Sequence, residues 1–330
     1  MTKVQTVEIG ADDGDQRLDR WFKRMFPQVT QGQLQKLLRT GQVRVDGKKA
    51  EASTRVEAGQ VVRVPPLPEV DTSKPPPVKR TSKQDEYLIA DLRKAILYKD
   101  DAVIAFNKPA GVAVQGGSGT DTHIDGVLDA FAEGGERPKL VHRIDKDTSG
   151  VLLIARTTAA ARKLTTTFRT RAARKYYWAI TVGVPDPLQG RIDMALAKQA
   201  GPRGERVAVD DEEGQHAITL YQVIENAHRR AAWVAMWPQT GRTHQLRVHM
   251  AHLGWPILGD GKYAGQEAFI EGAELARQLH LHARRLIIPH PKGRGKIDVT
   301  APLSPHMKKT WDYFGFDRND DGNPFDVIEE

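Results

Sequence analysis

The stretch HRIDKDTSG, His142–Gly150, sets an Arg and an Asp two positions apart directly ahead of the apolar run Val151–Ala155. A short apolar run bounded by turn residues reads as a buried strand, so Arg143 and Asp145 sit at its mouth. Burying either charge is costly unless it is paired. A second stretch, TGRTHQLRVHMAHLG, carries Arg242, His244, Arg247 and His249 among Leu246, Val248, Met250 and Leu253. It reads as a semi-buried helix that Gly254 and Pro256 terminate. An Arg on such a helix and a carboxylate at a strand mouth can satisfy each other. Two readings fit: a structural salt bridge, or a nucleophilic or acid/base carboxylate held ionised by an Arg partner. The residue types leave both open.

Other chemistries lack their residues. There is no cysteine, so disulfides and thiolate metal sites are excluded. No GxSxG or Walker loop occurs, and GGSG (Gly116–Gly119) lacks the Lys-Ser/Thr of a phosphate cradle. His244, His249 and His252 come without HExxH or grouped carboxylates, so no metal is expected and a metal-dependent nuclease is disfavoured. The acidic run VDDEEG (Val209–Gly214) reads as a solvated turn. The N-terminus has no signal-type apolar core, and no apolar run approaches spanning length, so a cytoplasmic protein is expected.

The elements that position these residues fall into a small basic module and a larger sheet domain. Net charge is +7, and residues 17–64 carry eleven Lys/Arg against four acids, so the whole excess lies in that segment. Such confinement is the footprint of a polyanion binder, beside the plainer reading of a solvated basic face. Leu18, Trp21, Phe22 and Met25 recur at helical spacing. Thr30 is a candidate N-cap for a second helix with Leu34, Leu37 and Leu38, stopped by Gly41. Val43 and Val45 lead into an Asp46–Gly47 hairpin turn. Lys36, Arg39, Arg44 and Lys48 are the candidate nucleic-acid contacts.

The expected boundaries are an extension over 1–16, the basic module over 17–64, a Pro-rich linker over 65–94, the sheet domain over 95–315 and an acidic, loose tail over 316–330. The strand candidates of the sheet domain are AVIAFNK, GVLLIAR, KYYWAITVG, AITLYQVIE, RAAWVAMWP and RRLIIPH. They outnumber the helix candidates and show no regular βαβ alternation. The expected class is α+β, with a mostly antiparallel sheet and flanking helices. No spare apolar stripe calls for a partner subunit, so a monomer is expected.

LVHRIDKDTSGVLLIAR resembles the central HR(L/I)DxxTSG motif of pseudouridine synthases that act on large-subunit ribosomal RNA. AVIAFNKPAGVAVQGG resembles that family's NKPxG motif, RKYYWAITVG its KxYxAxxxG strand, and QTGRTHQLRVHMAHLGWPILGDGKYAG its GRTHQ(I/L)R segment. LHARRLIIPHP resembles its closing strand. The match runs from about Ala95 to Pro302, with Ile144 for the commoner Leu and Gln115 where His is frequent. Residues 17–64 separately resemble an S4 RNA-binding domain, a small α/β unit.

The resemblance implies an isomerase that breaks the N1–C1′ bond of uridine, turns the uracil and rejoins it through C5. Such a reaction needs no cofactor, ATP or metal. It implies that Asp145 is the reacting carboxylate, as nucleophile or as base, that Tyr177 lies against the uracil, and that Arg247 pairs with Asp145 and keeps it ionised. Arg143 is expected to enter the RNA in place of the flipped base. His142, Asn107 and Lys108 are expected to support the pocket, and Asp147 to be exposed. The expected substrate is 23S ribosomal RNA. Transfer or small-subunit RNA, or a non-catalytic RNA-binding role in ribosome assembly, are the alternatives.

Overall fold

The computed structural model describes residues 4–10, 13–67, 81–117, 121–201, 204–318 and 324–325. Most of the Pro-rich linker, the tip of the GGSG loop and most of the C-terminal tail lie outside the described residues. The chain forms two compact units, Met1–Arg80 and Thr81–Glu330.

The smaller unit runs β1 (Gln5–Glu8), β2 (Gln16–Arg17), α1 (Leu18–Met25), α2 (Gln31–Arg39), β3 (Arg44–Val45), β4 (Lys48–Lys49), β5 (Arg55–Val56) and β6 (Val61–Val64). Thr30 caps α2 as expected, in a full capping box. Its hydroxyl accepts from Gln33 N, and Gln33 Oε1 accepts from Thr30 N at 2.8 Å. Asp46 and Gly47 both take left-handed φ, 48° and 74°, which is the backbone a two-residue β3–β4 hairpin needs. Leu18, Trp21, Phe22, Leu34 and Leu38 are buried in one core with Val43, Val56 and Val62. Met25 departs from the helical-face reading and is 43% exposed. The helix ends there, and Phe26, just past it, turns inward and packs on Phe22, ring centres 4.8 Å apart, instead. Lys36, Arg39, Arg44 and Lys48 are all exposed.

The larger unit runs α3 (Lys83–Lys94), β7 (Ile96–Lys99), β8 (Val103–Lys108), α4 (Ile124–Val127), β9 (Lys139–Leu140), β10 (Ser149–Ala155), α5 (Thr158–Arg169), β11 (Arg174–Val182), β12 (Gln189–Gly201), β13 (Gly204–Val209), β14 (Gln215–Ala227), β15 (Ala231–Pro238), α6 (Gln245–His252), α7 (Gly261–Ala264), β16 (Leu281–Pro289), β17 (Lys296–Thr300) and α8 (Pro305–Phe314). Its strands make an 11-stranded sheet in the order β13-β12-β14-β15-β11-β16-β10-β8-β7, with β17 on β16 and β9 on β10. Among the described residues only β10 and β16 pair in parallel, over two residues. The class is therefore α+β with a mostly antiparallel sheet, as read.

Three readings need correction. The linker was expected to reach residue 94, yet α3 occupies Lys83–Lys94. Ser82 caps it in a capping box, and Leu88 and Leu92 are buried against Phe106 and Ile154. The tail was expected to be loose from 316, yet Phe316 and Phe325 are buried, and Phe325 stacks on Tyr176. Aromatic burial outweighs the acidic composition there. The hairpin β12–β13 was not expected at all. Its Ala, Lys and Gln residues are weak strand formers, and pairing of β12 with β14 supplies what propensity does not.

The strand ahead of which Asp145 sits is buried throughout. Val151, Leu153 and Ala155 face one core, and Leu152 and Ile154 face the other. That two-sided burial explains why the sequence reads there as a continuous apolar run rather than an alternating one.

Candidate active site

Where β10 begins, Gly150 has φ 107° and lies so close to β16 that a Cβ would stand 2.2 Å from Ala283 O. Only glycine permits this approach. Ser149 adds a side-chain hydrogen bond to His282 Nδ1 at 2.8 Å, and His282 Nε2 reaches Ala301 O. The preceding turn, closed by Thr148 N donating to Asp145 O at 3.2 Å, is thereby tied to a fixed strand end.

Lys108, at the end of β8, holds that turn from below. Its Nζ is fully buried and donates to Pro109 O, Val112 O and Lys146 O at 2.8–2.9 Å. Burial pulls its pKa down to about 7. Three carbonyl acceptors nevertheless use all three donors of the ammonium, so the site is built for the charged form. Asn107 donates to Pro302 O at 3.0 Å, away from the turn. His142 stacks on Phe168, and its Nε2 accepts from Leu153 N at 2.8 Å. Burial lowers its pKa to about 3, so it is a neutral structural imidazole.

Asp145 lines a cavity of about 590 Å³ with Arg143, Tyr177 and Arg247. The remaining charge on that wall comes from Arg169, Arg171, Lys175 and Arg242, and Asp145 is the only carboxylate among the described lining residues. Arg143 is exposed, and so is Asp147. Asp145 keeps a fifth of its side chain exposed. Its pKa is raised, because burial outweighs the attraction of Arg247, Arg143 and Lys108.

Tyr177 comes from β11. Successive strand residues face opposite sides of the sheet, so Tyr176 enters the aromatic core and Tyr177 the cavity side. Burial, with Asp145 adding to it, pushes the Tyr177 hydroxyl up, so it is a neutral phenol.

The expected pair of Asp145 with Arg247 takes a different form. Arg247 Nε and Nη2 donate to Asp260 at 2.8 and 2.6 Å, a buried bidentate pair, and Arg247 also lies 5.1 Å from the Tyr263 ring centre. Only Nη1 faces Asp145 Oδ2, at 4.0 Å. The arginine satisfies another carboxylate first, and so does not hold Asp145 below its ordinary range. Asp260 and Tyr263 were missed in the sequence. The signal was an Asp and a Tyr set among glycines in GDGKYAG, which reads equally well as a loop.

Helix α6 begins only at Gln245, so Arg242 and His244 are not on it. Buried Gln245 fixes the turn ahead of it. Its Oε1 accepts from Thr240 Oγ1 and Arg242 N, and its Nε2 donates to Ile218 O and Thr219 Oγ1. His244 is left-handed at φ 54°. Its Nδ1 is 2.5 Å from the Tyr263 hydroxyl, and its Nε2 is 3.9 Å from Asp145 Oδ2.

Residues 102–252 match the model of the RNA pseudouridylate synthase family, and residues 16–62 match the S4 domain. The chain is 35% identical over 311 residues to the ribosomal large subunit pseudouridine synthase C of Vibrio cholerae serotype O1, covering 93% of this chain and 96% of that protein. It is 33% identical over 293 residues to the protein of that name from Rickettsia bellii, covering 89% and 96%. The solved structure of human RNA pseudouridylate synthase domain containing 4 superposes with a TM-score of 0.59 at 30% identity, over 70% of this chain and 97% of that one. With the HRIDKDTSG turn, the Tyr177 strand and the Arg247 helix meeting at one cavity, and with relatives matched over nearly their full length, the chain belongs to the RNA pseudouridine synthase family and is an isomerase that carries an S4 domain.

Proposed function

We propose that this chain converts uridines of large-subunit ribosomal RNA to pseudouridine, with 23S ribosomal RNA as the substrate and Asp145 as the reacting carboxylate. The Vibrio cholerae and Rickettsia bellii relatives are named as ribosomal large subunit enzymes, which supports the substrate class. One observation carries the reading: a lone, partly exposed carboxylate stands in a cavity whose other charged lining residues are all cationic. Such a wall receives the phosphates of an RNA strand, and the carboxylate meets the one sugar brought inside.

The residues divide the work. Exposed Arg143 enters the RNA where the target base leaves the stack, since a planar guanidinium can both stack and pair with phosphate. Tyr177, a neutral phenol, offers its ring face to the uracil. Asp145 acts at the sugar, by attack at C1′ or by taking a proton from it, and both steps need its ionised form. Arg247 supplies positive charge within 4.0 Å of it. Lys36, Arg39, Arg44 and Lys48 of the smaller unit grip phosphates outside the target nucleotide. The isomerisation keeps the composition and oxidation level of the nucleotide, the C5 hydrogen leaving as a proton while N1 gains one, so the residues named suffice without a cofactor.

The test uses Asp145→Asn with ribosomal RNA from cells lacking the gene. Tritium release from 5-tritiated uridine should vanish while RNA binding persists. Release at the wild-type rate in the variant refutes the assignment.

A further inference from the structure

Two side chains, Arg247 and His244, approach the same oxygen of Asp145. Arg247 Nη1 is 4.0 Å from Oδ2, and His244 Nε2 is 3.9 Å from Oδ2. Neither is anchored by Asp145. Arg247 is held by Asp260 at 2.6 and 2.8 Å, and His244 Nδ1 by the Tyr263 hydroxyl at 2.5 Å. Both anchors belong to the short segment Asp260–Tyr263. Nε2 faces a carboxylate, which only accepts, so the tautomer that fits both contacts has the Tyr263 hydroxyl donating to His244 Nδ1. The Nε2 of His244 then carries the ring proton and points it at Asp145. A neutral ring is required for this, and burial together with Arg247 lowers the His244 pKa to about 4. A non-glycine residue at φ 54° is uncommon, and here it is what turns the imidazole toward the cavity.

From this geometry we infer that His244 is a positioning residue for Asp145: its Nε2–H, with Arg247, occupies Oδ2 and presents Oδ1 to the substrate. The inference rests on Asp145 as the reacting carboxylate. At 3.9 and 4.0 Å both contacts exceed hydrogen-bond length, and the inference requires them to shorten in the reacting complex. A carboxylate with one oxygen engaged keeps its other oxygen directed at a single atom of the sugar, so the orientation contributes to kcat rather than to binding.

The test compares two substitutions that each preserve half of the imidazole. In His244→Asn the amide replaces Nδ1, keeps the Tyr263 contact and tolerates the left-handed backbone, but nothing reaches Asp145. In His244→Gln the amide nitrogen replaces Nε2 and reaches Asp145, at the expense of Tyr263 and of backbone comfort. His244→Asn should lower kcat about 10-fold or more, with KM changed less than about twofold, as loss of a hydrogen bond to a charged group implies. His244→Gln should restore most of that loss.

The acid limb of kcat in His244→Asn should move to higher pH, because a lost donor raises the carboxylate pKa. The other groups facing Asp145 (Arg143, Lys108, Tyr177, Arg247 and Asp260) are the same in both variants. A purely structural role predicts the reverse order, with Asn the better tolerated. Wild-type kcat in His244→Asn, or a Gln variant no better than Asn, overturns the inference. Should His244→Asn fail to fold, Tyr263→Phe removes only the anchoring hydroxyl. It should lower kcat about threefold or more with KM unchanged, and an unaltered kcat there overturns the inference equally. Asp145→Asn run alongside separates the cases: activity in that variant refutes the carboxylate assignment, whatever His244 does.

Discussion

Arg247 gives two hydrogen bonds to Asp260 and none to Asp145, whose Oδ2 it meets only at 4.0 Å. One guanidinium therefore serves two carboxylates unequally. Asp260 is almost wholly buried and fully paired, while Asp145 is partly exposed and pays part of its desolvation uncompensated.

That inequality predicts opposite stabilities for the two Asp→Asn variants. The folded pKa of Asp145 is raised, so its ionised form is disfavoured by folding once pH exceeds its unfolded value. Asp145→Asn removes that cost and should leave Tm unchanged or higher. Asp260→Asn leaves Arg247 buried with a neutral partner and should cost about 3 kcal/mol. Thermal melts of the two proteins check this, and a larger loss in Asp145→Asn refutes it.

Gly150→Ala places a methyl group 2.2 Å from Ala283 O at φ 107°. No side-chain rotation relieves a clash with backbone. The substitution should destabilise the larger unit by more than about 3 kcal/mol. Urea titration measures this, and a midpoint within error of wild type contradicts the close strand approach.

Stability should fall on mild acidification. His142, His244, His249, His280 and His282 have pKa values lowered to about 3 or 4 by burial. Their unfolded values lie near 6.5, so the unfolded chain binds more protons between those limits. Stability is then greatest above about pH 6.5 and is lost as pH falls, by up to about 1.4 kcal/mol per pH unit for each such group. Denaturant titrations at pH 7.5 and 5.5 should show a lower midpoint at 5.5. Equal midpoints show that the rings are not buried neutral.

Replacing Lys36, Arg39 and Lys48 by Ala should weaken RNA binding and flatten its salt dependence, by about one unit of log–log slope per lost phosphate contact. Filter binding across a salt series measures the slope. An unchanged slope assigns these exposed cations no phosphate.

The sequence by itself determined what local physics controls. Periodicity marked α1, the Thr30 cap and Asp46–Gly47 turn marked the ends of their elements, and the buried strand β10 was evident as an apolar run. The motif that places Asp145 ahead of that strand was readable in nine consecutive residues. Tertiary structure decided the partners. Arg247 lies on α6 and Asp260 just ahead of α7, the arginine could have paired in several ways, and nothing in GDGKYAG says that its Asp outcompetes Asp145. The strand β12 forms because β14 offers an edge, and Phe325 turns inward because an aromatic core awaits it. His244 looked like one more helical residue, and only the left-handed backbone ahead of α6 aims it at Asp145. Side-chain pairing depends on which atoms folding brings within a few ångströms, and residue type and spacing along the chain do not encode that distance.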